Sequence, residues 1–169
     1  IDFLIEYRTR QRSVMIRGNH DVLCLEWLKD GRDNPLWLSS GGKQTIDSYR
    51  AVGEKTRALH KTFFEELENY YLDPGNRLYL HAGFTNQRGV EHEYFSGNFY
   101  WDRTLWETAL SLNPSLRPGD VRYPSRLAHY REIFIGHTPV NRIGRDTPVQ
   151  AANVWNVDTG AAFQGPLSV

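Results

Sequence analysis

The sequence predicts an α/β protein, on the basis of three apolar runs and of the helical patterns between them. The runs cover residues 13–17, 77–80 and 132–135, and each is followed by a small polar cluster that contains histidine. Short apolar runs bounded by glycine are typical of strands that are buried on both faces. Residues 54–71 repeat apolar side chains three and four positions apart, which is the pattern of an amphipathic helix.

The first half of the chain is predicted to be mainly helical. Helices are expected at residues 2–10 and 21–29, on either side of the first strand. The stretch 34–53 is rich in Gly, Ser, Trp and Pro and predicts a loop region, with a short helix near 44–50. The pattern over 54–71 predicts the longest helix of the chain.

The second half is predicted to alternate between strands and loops. Asp73-Pro74-Gly75-Asn76 favours a turn into the strand at 77–81. Residues 84–100 are aromatic, contain glycine and are irregular, which suits a loop over a site. The remaining expected elements are a helix at 101–111, a proline-containing loop at 113–125, and strands at 132–136, 153–157 and 162–168. No repeat or linker interrupts residues 1–169, so a single domain is expected.

Composition excludes several classes of protein. The chain has 169 residues, of which 40% are hydrophobic and 13% aromatic, as in a packed globular protein. Its formal net charge is zero, so nonspecific binding to nucleic acid or to an acidic membrane is not expected. No apolar stretch approaches the roughly 20 residues of a membrane span. One cysteine and no secretory signal favour the reducing cytoplasm.

Polar side chains follow the predicted strands at their carboxyl ends. Asn19 and His20 come after the first strand, His81 after the second and His137 after the third. In open α/β sheets the loops at these ends converge on one crevice, where ligands bind. Imidazole nitrogens and an amide oxygen suit transition metals such as Mn, Fe or Zn. The sequence therefore predicts a transition-metal site, whose glycines let the backbone approach the bound group.

Three short motifs stand in the order that they have in one enzyme family: Gly18-Asn19-His20-Asp21, His81-Ala82-Gly83 and Gly136-His137-Thr138-Pro139. With them the sequence resembles the calcineurin-like metallophosphoesterases, in the branch of serine/threonine protein phosphatases and their bacterial and phage relatives. Trp101-Asp102-Arg103 and residues 157–161 add looser similarities. The resemblance implies a metallophosphoesterase-type sandwich of two mixed sheets flanked by helices.

Two further motifs of that family, GDxHG and GDxxDRG, occur nowhere in these residues. In the family they precede the GNH motif, and a helix like the one predicted at residues 2–10 follows the second. The chain is therefore expected to be the C-terminal part of a longer catalytic domain. Because the ligands that remain are neutral, we expect the chain alone to bind metal weakly and to be essentially inactive on an aryl phosphate with manganese. Adding the upstream segment should restore both properties.

The resemblance also implies roles for individual residues. Asn19, His81 and His137 would be ligands of one of two divalent transition-metal ions, which lie about 3.5–4 Å apart in two-metal sites. Manganese is the first choice, with iron or zinc as alternatives. His20 would be the general acid beside the leaving oxygen, since an unperturbed imidazole has a pKa of about 6.5. Arg103 would bind phosphate, although a salt bridge or a helix-start position explains an arginine there equally well.

Other polar residues are expected to have structural roles. Asp21 would cap the helix that follows it, and Asp158 would form a turn before Thr159. Cys24 lies in an apolar helical setting and is expected to be a buried, inert thiol. Three histidines lie away from strand ends and are expected at the surface: His60, His92 and His129.

The leading functional hypothesis is a metal-dependent phosphatase that acts on phosphomonoesters, with phosphoserine or phosphothreonine in proteins as the preferred class. One alternative is a symmetrical dinucleoside tetraphosphatase or another small-molecule phosphoesterase of the same superfamily. A second alternative is a noncatalytic binding module that keeps the fold. Nuclease-like members typically carry a second histidine two residues after the one in the GH motif, where this chain has Pro139.

Overall fold

A computed structural model covers residues 1–169, and the chain in it forms two compact units, Ile1–Glu68 and Asn69–Val169. Helices and one five-stranded mixed sheet confirm the α/β class. The second sheet of the predicted sandwich and the single domain stay predictions. None of the helices combines the length and the apolar character that crossing a bilayer requires.

The first unit is built from helices. They are α1 (Asp2–Arg10), α2 (Asn19–Asp30), the single turn α3 (Pro35–Trp37), α4 (Lys43–Tyr49) and α5 (Glu54–Glu65). Helices α2 and α5 pack against each other. The buried hydrophobic side chains of this unit form one cluster, made of Cys24, Trp37, Tyr49, Phe63, Phe64 and Leu67. The helices predicted at 2–10, 21–29 and 44–50 are therefore confirmed, with small shifts at their ends.

Helix α2 follows the first predicted motif directly. The Asp21 carboxylate accepts a hydrogen bond from the Gly18 amide at 2.7 Å, so Asp21 caps the helix start as predicted. Gly31 ends the helix in the left-handed region, at φ 71°. Cys24 lies within α2 and is 3% exposed, and burial raises the pKa of its thiol to about 12. The prediction of a buried cysteine is confirmed, and a raised pKa is typical of an unreactive thiol.

Two predicted elements of this unit are wrong. The strand expected at 13–17 is reduced to an isolated parallel bridge between Ile16 and Glu68. The helix expected at 54–71 ends at Glu65, where the Arg17 guanidinium donates to the carbonyls of Phe64 and Glu65 at 3.2 and 3.0 Å. Those carbonyls lie in the last turn of α5, where they lack intrahelical donors.

His60 was predicted to be a surface residue, and it is 6% exposed. Its Nδ1 lies 2.9 Å from the Tyr49 hydroxyl, and its Nε2 lies 2.8 Å from the Asp2 carboxylate. The hydrogen bond with His60 holds the pKa of Asp2 below its ordinary value. His92 and His129 are exposed, as predicted. A histidine of an amphipathic helix is thus buried where distant polar groups satisfy both ring nitrogens.

The second unit contains the sheet, with strands β1 (Tyr70–Leu72), β2 (Arg77–Leu80), β3 (Glu132–Ile135), β4 (Val149–Ala151) and β5 (Val154–Asn156). The order across the sheet is β1-β2-β3-β5-β4. The central strands β2, β3 and β5 are parallel, and the edge strands β1 and β4 are antiparallel to their neighbours. One face is fully buried and consists of Leu78, Leu80, Ile133, Ile135, Val154 and Asn156. The strands predicted at 77–81, 132–136 and 153–157 are confirmed.

The same unit contains three short helices, α6 (Asn98–Trp101), α7 (Thr104–Ser111) and α8 (Ser125–Ala128), of which α7 packs against β4 and β5. The helix predicted at 101–111 is divided, because the Asp102 carboxylate accepts from the amides of Thr104 and Leu105 and so starts α7 as a new helix. The sequence predicted neither α8 nor β4.

The strand predicted at 162–168 is wrong. The segment begins with a 3-10 turn, Ala161–Phe163, and Gln164 then takes a positive φ of 68°. The amides of Phe163 and Gly165 both donate to the Gly160 carbonyl at 2.8 Å. The chain therefore folds back on itself, which leaves no extended backbone for a sheet.

Candidate functional site

Two of the predicted ligands lie side by side at one edge of the sheet. Strands β2 and β3 are parallel neighbours, so His81 and His137 follow them at the same edge. The Gly136 amide donates to the His81 carbonyl at 2.8 Å and so joins the two strand ends. The imidazole rings have centroids 5.1 Å apart, with 62° between their planes. This part of the sequence prediction, that the strand-end histidines converge, agrees with the structure.

His137 has an uncommon backbone conformation. Its φ is +66°, in the left-handed region that residues other than glycine seldom adopt. The Thr138 amide donates to the Gly136 carbonyl at 2.7 Å across this tight turn. The indole of Trp101 meets the imidazole edge to face, with centroids 5.9 Å apart. Strained conformations of this kind cluster at functional sites, because the surrounding structure must enforce them.

Asn156 fixes the turn that carries His137. It is the last residue of β5 and fully buried, and its amide group donates to the Thr138 carbonyl at 2.8 Å. Its side-chain oxygen accepts from the Asp158 amide at 3.0 Å. The sequence analysis did not identify this residue. Asn156 lies two positions after Val154 and so on the same buried face of the strand, where a polar side chain indicates a required hydrogen bond. Asp158 accepts from the Gly160 amide at 3.0 Å, which confirms its predicted turn role.

The segment that ends in Trp101-Asp102-Arg103 packs on the loop after β2. The Ala82 amide donates to the Phe99 carbonyl at 2.9 Å. A Cβ atom on Gly83 would overlap the Asp102 carboxylate and lie 2.9 Å from the Leu105 Cβ. Only glycine at position 83 therefore lets this segment lie against the loop that contains His81.

Arg103 lies at the start of helix α7, in the N-cap position, and its side chain is exposed. The expectation of a helix-start arginine is thus confirmed. The guanidinium forms none of the ion pairs of the structure. Binding of phosphate by Arg103 stays a prediction.

Asn19 and His20 belong to the first unit. Asn19 is the first residue of α2 and is 7% exposed, whereas the side chain of His20 is exposed. A buried amide and an exposed imidazole at successive positions are compatible with the different roles predicted for them. The convergence of Asn19 with His81 and His137 stays a prediction.

The pair of imidazoles fits the chemistry of a transition-metal site. A nitrogen ligand lies about 2.0–2.1 Å from a zinc ion, so two rings that approach as closely as those of His81 and His137 can share one ion. Neutral imidazoles suit manganese, iron and zinc. No group of three or more His, Cys, Asp or Glu side chains in the structure is arranged to bind a metal.

One carboxylate orders the loop that follows His81. Glu93 accepts hydrogen bonds from the Thr85 amide at 2.7 Å, the Thr85 hydroxyl at 3.0 Å and the Asn86 amide at 3.2 Å. It also accepts from the Phe95 amide at 3.3 Å. Partial burial acts to raise the pKa of Glu93, but these hydrogen bonds outweigh it and the pKa lies below its ordinary value.

Acidification is expected to release this loop. Since the pKa of Glu93 is lower in the folded state, its stabilising effect is complete above the ordinary Glu value of about 4.3 and is lost as pH falls towards the folded value. Amide hydrogen exchange at Thr85 and Asn86, measured relative to the Ile133 amide in the core, should accelerate in this range. Glu93→Gln should give the fast exchange already at neutral pH. Exchange in Glu93→Gln as slow as in the wild type would contradict the role of the carboxylate.

Comparison with known proteins adds no relative. No family model matches the chain, and no curated protein is significantly similar to it. The likeness to metallophosphoesterases therefore depends on the three ordered motifs, of which two, those of His81 and His137, meet at one sheet edge.

Proposed function

We propose that this chain supplies part of the site of a metal-dependent phosphatase with the metallophosphoesterase sandwich fold, which hydrolyses phosphomonoesters. The observation that carries the proposal is the pair of imidazoles at the carboxyl ends of β2 and β3, with ring centroids 5.1 Å apart. The left-handed backbone of His137 supports it, since such strain is retained where function needs the geometry. Phosphoserine or phosphothreonine in proteins is the proposed substrate class, and the cytoplasm the proposed location.

Each residue has a separate task in this proposal. Asn19, His81 and His137 would bind a divalent transition-metal ion, with manganese as the first choice. Bound divalent ions supply an activated water and stabilise charge on the phosphoryl oxygens. His20 would donate a proton to the leaving oxygen, a task for which an exposed imidazole with access to solvent is suited. Arg103 would donate hydrogen bonds to the phosphate oxygens.

The proposal is tested on the product of the complete gene, purified with manganese. Hydrolysis of an aryl phosphate and of a phosphoserine peptide is measured, with a dinucleoside tetraphosphate as the competing substrate. The expected result is manganese-dependent hydrolysis of both monoesters, with the larger kcat/KM for the peptide. Preference for the tetraphosphate would support the small-molecule alternative. Binding of metal without turnover of any ester would support the noncatalytic module.

A matched pair of variants compares a histidine of the proposed site with a histidine elsewhere on the surface. His81→Ala should reduce both the metal content and the rate, because it removes one of the paired imidazoles. His92→Ala removes an exposed histidine that lies away from the strand ends and should leave both unchanged. Equal effects of the two variants would contradict the assigned site.

A further inference from the structure

Arg126 is a buried arginine in the second unit that sequence reasoning did not single out. It lies on helix α8 and is 6% exposed. Its Nη1 donates to the Phe84 carbonyl at 2.9 Å and to the Thr104 hydroxyl at 3.1 Å. Its Nη2 donates to the Thr104 carbonyl at 2.7 Å and to the Thr108 hydroxyl at 2.5 Å. All four acceptors are uncharged oxygens.

A buried charge without an ion pair is costly, so its hydrogen bonds must be well formed. Burial lowers the pKa of the Arg126 guanidinium, and the nearby Asp102 carboxylate acts in the opposite direction. The planar guanidinium can donate along two edges at once, which a lysine ammonium cannot reproduce. Arg126 therefore joins its acceptors in one fixed arrangement.

The acceptors of Arg126 lie in the loop after β2 and on helix α7, whose start follows the Trp101-Asp102-Arg103 segment. Phe84 follows directly after His81-Ala82-Gly83, and Thr104 follows directly after Trp101-Asp102-Arg103. The Thr104 hydroxyl also donates to the Asp102 carboxylate at 2.7 Å, so the residues on both sides of Arg103 are fixed by this network. The close approach of Gly83 to Asp102 is a second contact between the loop after β2 and the segment that starts α7.

We propose that Arg126 is a positioning residue, which fixes the exposed Arg103 relative to His81 so that the Arg103 guanidinium is directed at phosphate bound beside the histidines. The inference rests on the proposed phosphatase function and adds to it the residue that orients the phosphate-binding side chain. Arg126 itself is buried and does not touch the substrate.

A double-mutant cycle tests the proposal on the product of the complete gene with manganese and an aryl phosphate. Arg103→Ala should raise KM about tenfold or more, since it removes charge-assisted hydrogen bonds to phosphate. Arg126→Lys should raise KM about three- to tenfold with a smaller change in kcat, because Arg103 is no longer held in place. In the Arg103→Ala background, Arg126→Lys should change KM less than about twofold, since there is nothing left to position.

Two further variants keep the result interpretable. Thr108→Val removes one acceptor of the Arg126 Nη2 atom. It should raise KM less than Arg126→Lys does, and this rise should also disappear in the Arg103→Ala background. If Arg126→Lys does not fold, Thr108→Val takes its place in the cycle. Arg122→Lys changes an exposed arginine of the preceding loop and should leave KM unaltered. An active wild type in which the Arg103 and Arg126 effects multiply independently would overturn the positioning role. A wild type that hydrolyses no phosphoester would instead overturn the proposed function.

Discussion

Replacing His20 with asparagine in the product of the complete gene is expected to lower kcat about 10²–10⁴-fold, the usual contribution of a general acid. Asparagine keeps a polar side chain but cannot transfer a proton near neutral pH. His20 is exposed at the second position of α2, so the substitution leaves the apolar cluster of the first unit intact. Steady-state kinetics on an aryl phosphate give kcat, and elemental analysis gives the metal content, which should not change.

The comparison variant is His137→Ala, which should lose metal as well as rate, because it removes one of the two adjacent imidazoles. His92→Asn introduces the same change as His20→Asn at another exposed histidine and should retain full activity. Equal loss of metal in His20→Asn and His137→Ala would show that His20 is a ligand and not the acid.

Gly83→Ala is expected to destabilise the chain by about 1–3 kcal/mol, the usual cost of forcing an extra carbon into a packed region. The new Cβ would overlap the Asp102 carboxylate and approach the buried Leu105 to 2.9 Å. Since Asp102 caps helix α7, the overlap would displace the cap as well as the side chain. Urea unfolding, followed by far-ultraviolet circular dichroism, gives the change in the free energy of unfolding.

Gly136→Ala is the matched control, because Gly136 is the strand-end glycine of the third motif. A Cβ there would lie 3.6 Å from the His81 carbonyl oxygen and 3.7 Å from the Asp158 Cβ, which are ordinary contacts. Its stability should stay within about 0.5 kcal/mol of the wild type, as for substitutions that create no overlap. If the two variants unfold at the same urea concentration, the close approach of Gly83 and Asp102 does not limit stability.

The two glycines show what sequence could and could not predict. Both follow apolar runs, and the pattern correctly placed the strands before them and the histidines beside them. Such runs are local signals, and parallel pairing then brings their ends together. Which glycine is needed for space depends on Asp102, whose position relative to Gly83 no local pattern specifies.

The errors have the same origin. The apolar periodicity of 54–71 continues past the true end of α5. Beyond that end the backbone of Glu68 is bonded to distant residues, and the Arg17 guanidinium binds the last carbonyls of the helix. His60 was expected at the surface because it lies away from strand ends, but Asp2 and Tyr49 supply partners from other helices. These interactions join residues far apart in sequence, so patterns within a short window do not contain them.

The strand order of the second unit also bears on the kinetics of its folding. Strand β1 pairs with the next strand in sequence, β2, and β4 likewise pairs with β5, whereas β3 joins both pairs by parallel contacts across long connections. Closing long loops costs more entropy, so we expect the two hairpins to form first and β3 to dock between them last. His81 and His137 would then become neighbours only in the final step. In pulse-labelled refolding, the Tyr71 and Tyr79 amides should gain protection before that of Ile133, and simultaneous protection would contradict this order.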